Sequence, residues 1–203
     1  MITLCMDTSH QFLVLTLLRD EQWLAGISLS CWKKQSEMIF LQLNELLKQC
    51  GLKPKEIGQV VVTRGPGSYT GVRIAMTIAK VICATAKLPL YSLPTMELIG
   101  AGIERAAVVL DARSHRAYLG LLENGRLIEK EQVLPLEQIQ VRLSDGVQRQ
   151  LLGDLSLLGQ PDFYPDLSRS FLLSRPRWQR VENVHLLVPE YMKSADEYLV
   201  KKG

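Results

Sequence analysis

Ile2-Thr3-Leu4-Cys5-Met6-Asp7-Thr8-Ser9-His10 and, in the second half of the chain, Ala107-Val108-Val109-Leu110-Asp111-Ala112-Arg113-Ser114-His115 are two versions of one pattern. Each is a short apolar run that ends on an aspartate and continues into small or polar residues and a histidine. The repetition extends further along the chain. After the first copy, Phe12 to Leu18 and Trp23 to Ser30 flank the polar break Arg19-Asp20-Glu21; after the second, Arg116 to Leu122 and Arg126 to Val133 flank Glu123-Asn124-Gly125. Runs of this length and composition read as strands, and Asn-Gly is a strong signal for a two-residue hairpin loop. The chain therefore reads as two tandem lobes that each open strand–Asp–hairpin, divided at 1–103 and 104–203.

Between the repeats the pattern changes to helix and strand in alternation. From Lys33 to Cys50 the apolar residues Ile39, Leu43, Leu46 and Cys50 make one helical face, with Gly51 as a stop. Gln59 to Thr63 is a β-branched strand, Val72 to Ala86 a helix, Leu90 to Leu93 a strand, and Thr95 to Ala101 a helix. Beyond residue 150 the signal weakens. Leu151 to Leu158 reads as a strand or a helix end, Val184 to Val188 is a last apolar run, and Pro189 to Val200 predicts a terminal helix.

Composition excludes several classes of function. The 203 residues are 47% hydrophobic, enough for a real core. The net charge of +3 leaves neither half with the basic excess of a stand-alone nucleic-acid binder. Arg175, Arg177 and Arg180 around Trp178 form the tightest basic cluster and read either as a phosphate-contacting platform or as a solvated turn. Cys5, Cys31, Cys50 and Cys83 have no metal-site spacing and read as free thiols of a reducing compartment. With no export-type start and no apolar stretch of about 18 residues, a cytoplasmic location is expected, away from membranes.

A duplicated strand–Asp–hairpin lobe is the plan of the actin/sugar-kinase/heat-shock ATPase superfamily, where glycines in the hairpin turn let backbone N–H groups reach phosphate. The turns after Asp7 and Asp111 contain no glycine. The fold class expected is thus α/β with two degenerate lobes of this kind, the second one short. Asp7, Thr8, Ser9 and Asp111 stand where a vestigial nucleotide site would be, although capping of a turn is the better reading for Asp7 with Thr8 and Ser9. Arg64-Gly65-Pro66-Gly67-Ser68-Tyr69-Thr70-Gly71 runs from a strand into a helix but matches neither common phosphate-loop pattern, and Pro66 removes an N–H from its middle. An architectural turn with Ser68 or Thr70 as helix cap is the better reading. His10, His115 and His185 are unpaired, and no catalytic residue or metal set is expected.

In the helix after this loop, Val72, Ala75, Met76, Ala79 and Cys83 lie on a face of mostly small side chains, with bulky residues on a second face. Phe40 and Leu47 add apolar surface beside the main stripe of the preceding helix. Together these seven residues are candidates for a face that docks a second protein, or equally for a surface that the second lobe or a helix pair within the monomer covers.

The run from Arg64 through Gly71 and on to Val72-Arg73-Ile74-Ala75 closely resembles the signature of the TsaB family, also called YeaZ. Met6-Asp7-Thr8-Ser9, Asp111-Ala112-Arg113 with Tyr118, and Pro189-Glu190-Tyr191-Met192-Lys193 resemble further family motifs. The resemblance implies a degenerate two-lobed ATPase fold and a protein without catalytic chemistry or cofactor of its own. It implies pairing, through the first-lobe helices, with a TsaD-like protein that forms N6-threonylcarbamoyladenosine in tRNAs reading ANN codons. ATP or ADP and metal are then expected in the partners, which include a TsaE-like ATPase; tRNA is met through the complex, and a homodimer of the free chain is also open. The alternatives are a small kinase or ATPase of the same superfamily, or a peptidase-like protein. One departure is Lys34-Gln35-Ser36, where family members often carry a histidine.

Overall fold

The structure is a computed structural model that describes residues 1–192. Strands β1 (Ile2–Asp7), β2 (Phe12–Arg19) and β3 (Gln22–Ser30) form an antiparallel meander. Helix α1 (Gln35–Gln49), β4 (Ile57–Thr63), α2 (Tyr69–Ala86), β5 (Leu90–Leu93) and the short α3 (Thr95–Ile99) come next, with β4 parallel to both β1 and β5. The second unit repeats the opening with β6 (Arg105–Asp111) antiparallel to β7 (Arg116–Glu123). It continues with β8 (Arg126–Leu127), β9 (Gln132–Pro135), α4 (Leu136–Leu143) and β10 (Gln150–Gly153), the last parallel to β6. Asn124 and Gly125 both have positive φ, 49° and 70°, as the hairpin loop between β7 and β8 requires.

Strand alternation sorts side chains between cores. Leu4, Met6, Leu13, Leu15, Val60 and Val62 face α1 and α2, whereas Cys5, Val14, Leu18 and Val61 face the other way. That second core also takes in Val108, Leu110, Tyr118, Leu122 and Leu152 of the second sheet, so the two sheets share it, with Met96 and Phe171 fully buried between them. Ala107, Val109, Ala117, Leu119 and Leu121 turn outward to Ile139 of α4 in a third, smaller core. The single eight-residue helix on that face, against fifteen and eighteen residues for α1 and α2, is what makes the second lobe short.

Three expectations need correction. The strand anticipated over Arg126 to Val133 is two short strands, β8 and β9, separated by Ile128 to Glu131. The C-terminal segment does not stay with the second lobe as a boundary at 103/104 implies. Helix α5 (Leu167–Leu173) packs on β2 and β3, and β11 (Gln179–Arg180) completes the first sheet beside β5. Gly26 admits α5 closely, since a Cβ there would lie 2.7 Å from the Ser168 Cβ, and the Thr16 hydroxyl donates to the Ser168 carbonyl at 2.8 Å. The run at Val184 forms a 3₁₀ turn, Val184–Leu186, and Pro189 to Met192 is not helical; the rest of the anticipated terminal helix lies outside the described residues. Among the described residues no helix is long and apolar enough to cross a membrane.

Candidate functional site

Asp7 closes β1 and is fully buried. Its Oδ1 accepts from the Ser9 N–H at 2.9 Å and from the Thr63 hydroxyl, and its Oδ2 lies 2.8 Å from His10 Nε2. His10 Nδ1 accepts from the Phe12 N–H at 3.3 Å, which places the ring proton on Nε2, toward the carboxylate. Burial alone would raise the Asp7 carboxyl. The nearby imidazole and the hydrogen bonds from Thr63 and Ser9 outweigh it and hold the group below the ordinary carboxylate value. Gln35, from the stretch where the family histidine is missing, donates to the His10 carbonyl at 2.9 Å and is itself buried.

The loop from Arg64 to Gly71 closes over this turn. The Thr8 hydroxyl donates to the Gly71 carbonyl at 2.6 Å and accepts from the Ala75 N–H at 3.0 Å, so it is inserted into the first turns of the α2 hydrogen-bond ladder. The Ser68 N–H bonds the Ser9 carbonyl at 2.7 Å, and the Ser68 hydroxyl accepts from the Gly71 N–H at 3.2 Å. Ser68 is therefore the cap, and Thr70 points to solvent. A Cβ at Gly67 would fall 2.3 Å from the Ser9 carbonyl oxygen, and one at Gly71 would fall 2.2 Å from that of Thr8. The loop includes a cis Gly65–Pro66 bond, and the Thr95 N–H bonds the Gly65 carbonyl at 2.8 Å. Protein atoms of the loop thus pack directly against the turn after Asp7.

Asp111 is held by a different network. Its carboxylate accepts from the Arg113 N–H at 2.7 Å and lies 3.4 Å from the Arg113 guanidinium, while its own N–H donates to Asp154 Oδ2 at 2.8 Å. Asp154 also accepts from the Tyr164 hydroxyl at 2.6 Å, and burial pushes that phenol well above its usual range. The turn is built from three successive left-handed residues, Arg113, Ser114 and His115, with φ of 65°, 55° and 57°. The rings of His10, Phe12 and Tyr164 meet at 5.1 to 5.6 Å and join the two turns. The structure therefore brings Asp7, Thr8 and Ser9 together with Gly67, Gly71 and Ala75, and leaves Asp111 half exposed beside Asp154. Among the described residues no three His, Cys, Asp or Glu side chains gather as a metal site.

The sequence reading missed Thr63, Asp154 and Tyr164. Only Asp154 had a visible signal, the glycine before it: Gly153 has φ +103°, and a Cβ there would lie 2.1 Å from the Val109 carbonyl oxygen.

The anticipated docking face needs the largest correction. Leu47, Val72, Ala75, Met76, Ala79 and Cys83 are all at most 4% exposed and belong to the core between the helices and the first sheet. The small residues let α2 approach its own sheet. Phe40 alone of the seven is exposed, at 56%; Leu41 and Val81 accompany it as large apolar side chains that these helices leave in solvent. The basic cluster is also largely structural. Arg177 sits with its Nε 3.8 Å from Glu97, and Arg175 bonds the Asp20 carbonyl at 2.8 Å.

Two stretches that carry the resemblance, far apart in the chain, meet at the loop. Arg64 Nε lies 2.7 Å from Glu190 Oε1, the Glu190 N–H donates to the Arg64 carbonyl at 2.8 Å, and the Tyr69 and Tyr191 rings stack at 5.2 Å.

Comparison with known proteins agrees with this geometry. Residues 30–145 match the family model described as TsaD: tRNA N6-adenosine threonylcarbamoyltransferase. The chain is 28% identical to the tRNA threonylcarbamoyladenosine biosynthesis protein TsaB of Bacillus subtilis (strain 168), covering 97% of this chain and 96% of that one. It is 28% identical to TsaB of Escherichia coli (strain K12), covering 82% and 74% respectively. Two solved Pseudomonas aeruginosa structures share the fold. One, described as similar to peptidase YEAZ, superposes with a TM-score of 0.80 at 23% identity over 95% of this chain and 99% of that chain. The other, YeaZ, gives 0.77 at 22% over 94% and 99%. The fold is thus the α/β fold of the YeaZ structures. The chain belongs to the family described by the TsaD model and, within it, to the TsaB (YeaZ) group.

Proposed function

We propose that this chain serves the formation of N6-threonylcarbamoyladenosine in tRNA as a subunit without chemistry of its own, docking on a TsaD-like protein that holds the nucleotide and metal. The observation that carries this reading is the sealed first turn. Asp7, Thr8 and Ser9 are fully buried and hydrogen-bond to Thr63, Gly71, Ala75, Ser68 and Thr95, with the His10 imidazole 2.8 Å from Asp7 Oδ2. A phosphate could reach that turn only by displacing the loop. Phe40, Leu41 and Val81 are exposed apolar side chains on the first-lobe helices of the kind the docking reading needs. A TsaE-like ATPase and tRNA join through the complex, and the nucleotide and metal belong to the partners.

The test is reconstitution with TsaD-like and TsaE-like proteins, ATP and a threonylcarbamoyl donor, with the modified nucleoside measured by mass. Modification should require this chain. Phe40→Lys combined with Leu41→Lys should weaken association with the TsaD-like protein by about tenfold or more, leaving the melting temperature of the free chain unchanged, since both side chains are exposed. ATP or peptide turnover by the chain alone, removed by Asp111→Asn, would overturn the reading in favour of an enzyme.

A further inference from the structure

Arg73 stands one helical turn after Tyr69 on the exposed side of α2. Its guanidinium lies 3.9 Å from the centroid of the Tyr69 ring and 5.3 Å from that of Tyr191. The two rings are themselves stacked, 30° apart in plane, and both are more than a third exposed. Tyr191 is brought there by the strap from Val181 to Tyr191. That strap is fastened by the Val181 N–H to the Leu90 carbonyl at 2.9 Å, by Lys80 Nζ to the His185 and Leu187 carbonyls at 3.1 and 2.9 Å, and by the Arg64–Glu190 pair. The result is a cation held in place by aromatic faces on a well-fastened surface, so little side-chain freedom remains to be lost on binding.

Among the described residues Arg73 has no carboxylate partner, and α2 contains no acidic residue. Lys80, the other cation within α2, is already engaged by the strap. Nucleic acid fits poorly here, because the Glu190 carboxylate stands in the same cluster and the ring faces are already taken by each other and by the guanidinium. A protein surface bearing a single carboxylate fits better, since tyrosine and arginine are among the residues enriched at the anchoring positions of protein interfaces.

We infer that the Tyr69–Arg73–Tyr191 stack is the anchor by which this chain recognises a carboxylate on its TsaD-like partner, at the end of α2 where the strap crosses the signature loop. This inference rests on the docking reading above and names the residues that give it selectivity. The exposed Phe40 and Val81 contribute apolar area, whereas the stack fixes register.

The experiment measures the dissociation constant between the full chain and the TsaD-like protein of the same genome, at several salt concentrations. It compares the wild type with Arg73→Gln, Arg73→Lys and Tyr191→Leu. Arg73→Gln should weaken binding about 10- to 30-fold and reduce its salt dependence, and Arg73→Lys should recover only part of the affinity because lysine stacks less well. Tyr191→Leu should fall between them. If Arg73→Gln binds within about twofold of wild type with the same salt dependence, the inference is wrong while docking stands. If the wild type does not associate at all, the docking reading itself fails. Asp196→Asn with Glu197→Gln removes the acidic pair that comes after Tyr191 in the sequence. Should that variant and Arg73→Gln lower the melting temperature of the free chain alike, the carboxylate belongs to this chain and the inference is overturned. A loss of tRNA binding by Arg73→Gln with protein association intact overturns it as well.

Discussion

Gly71→Ala separates local from tertiary reasoning because the two give opposite signs. Gly71 is the third residue of α2 and has ordinary helical backbone, so an isolated helix would gain about 0.5–1 kcal/mol from the change. In the folded chain the new Cβ would fall 2.2 Å from the Thr8 carbonyl oxygen. Ordinary contact lies more than an ångström farther out, and neither side yields easily. Thr8 is fully buried, and its hydroxyl is tied to the Gly71 carbonyl and the Ala75 N–H. Forced separation costs about 1–3 kcal/mol in strain, and loosening the two hydroxyl bonds costs about 1 kcal/mol more. After the helical gain the net loss is about 2 kcal/mol, or about 4–8 °C in melting temperature for a chain of this size. Urea and thermal unfolding followed by circular dichroism would measure it, with Thr77→Ala, exposed on the same helix, as the control. A melting temperature equal to or above that of the wild type would refute the claim that the loop and the first turn interlock.

Ala79→Trp should lower stability by at least about 3 kcal/mol or prevent folding, because the side chain is fully buried against the first sheet; a folded, equally stable variant in urea titration would return Ala79 to the surface. The buried Asp7 has a lowered pKa, so its contribution to stability is present above the unfolded-state value and is lost as pH falls below about 4. Asp7→Asn should therefore destabilise the chain at neutral pH and flatten the acid limb of its stability–pH profile. An unchanged acid limb would show that other carboxylates set it.

The duplicated lobe was legible because strand–Asp–hairpin is a local pattern. Alternating burial, an Asn-Gly turn and a glycine stop act within a few residues of one another, and β1, β2, β6, β7, α1 and α2 all arise within a few residues of where periodicity puts them. The glycine-free turn after Asp7 could be read for the same reason, since the absence of glycine is a property of composition.

Periodicity also showed that α2 has a face of small residues, but not what covers it. Ala75 and Ala79 permit close approach equally to a partner helix or to the chain's own sheet, and only the tertiary structure puts β1, β4 and the Thr8 hydroxyl there. The same limit hid the long-range contacts. Thr63 on Asp7, Tyr164 against His10, the return of β11 to the first sheet and Glu190 on Arg64 join residues from 56 to 154 positions apart. Their side chains carry no local signature, because a hydroxyl or carboxylate acquires its partner only when distant segments fold together. The sequence by itself determined that the turn after Asp7 contains no glycine; the packing of Gly67 and Gly71 against Ser9 and Thr8 decided that the turn was closed.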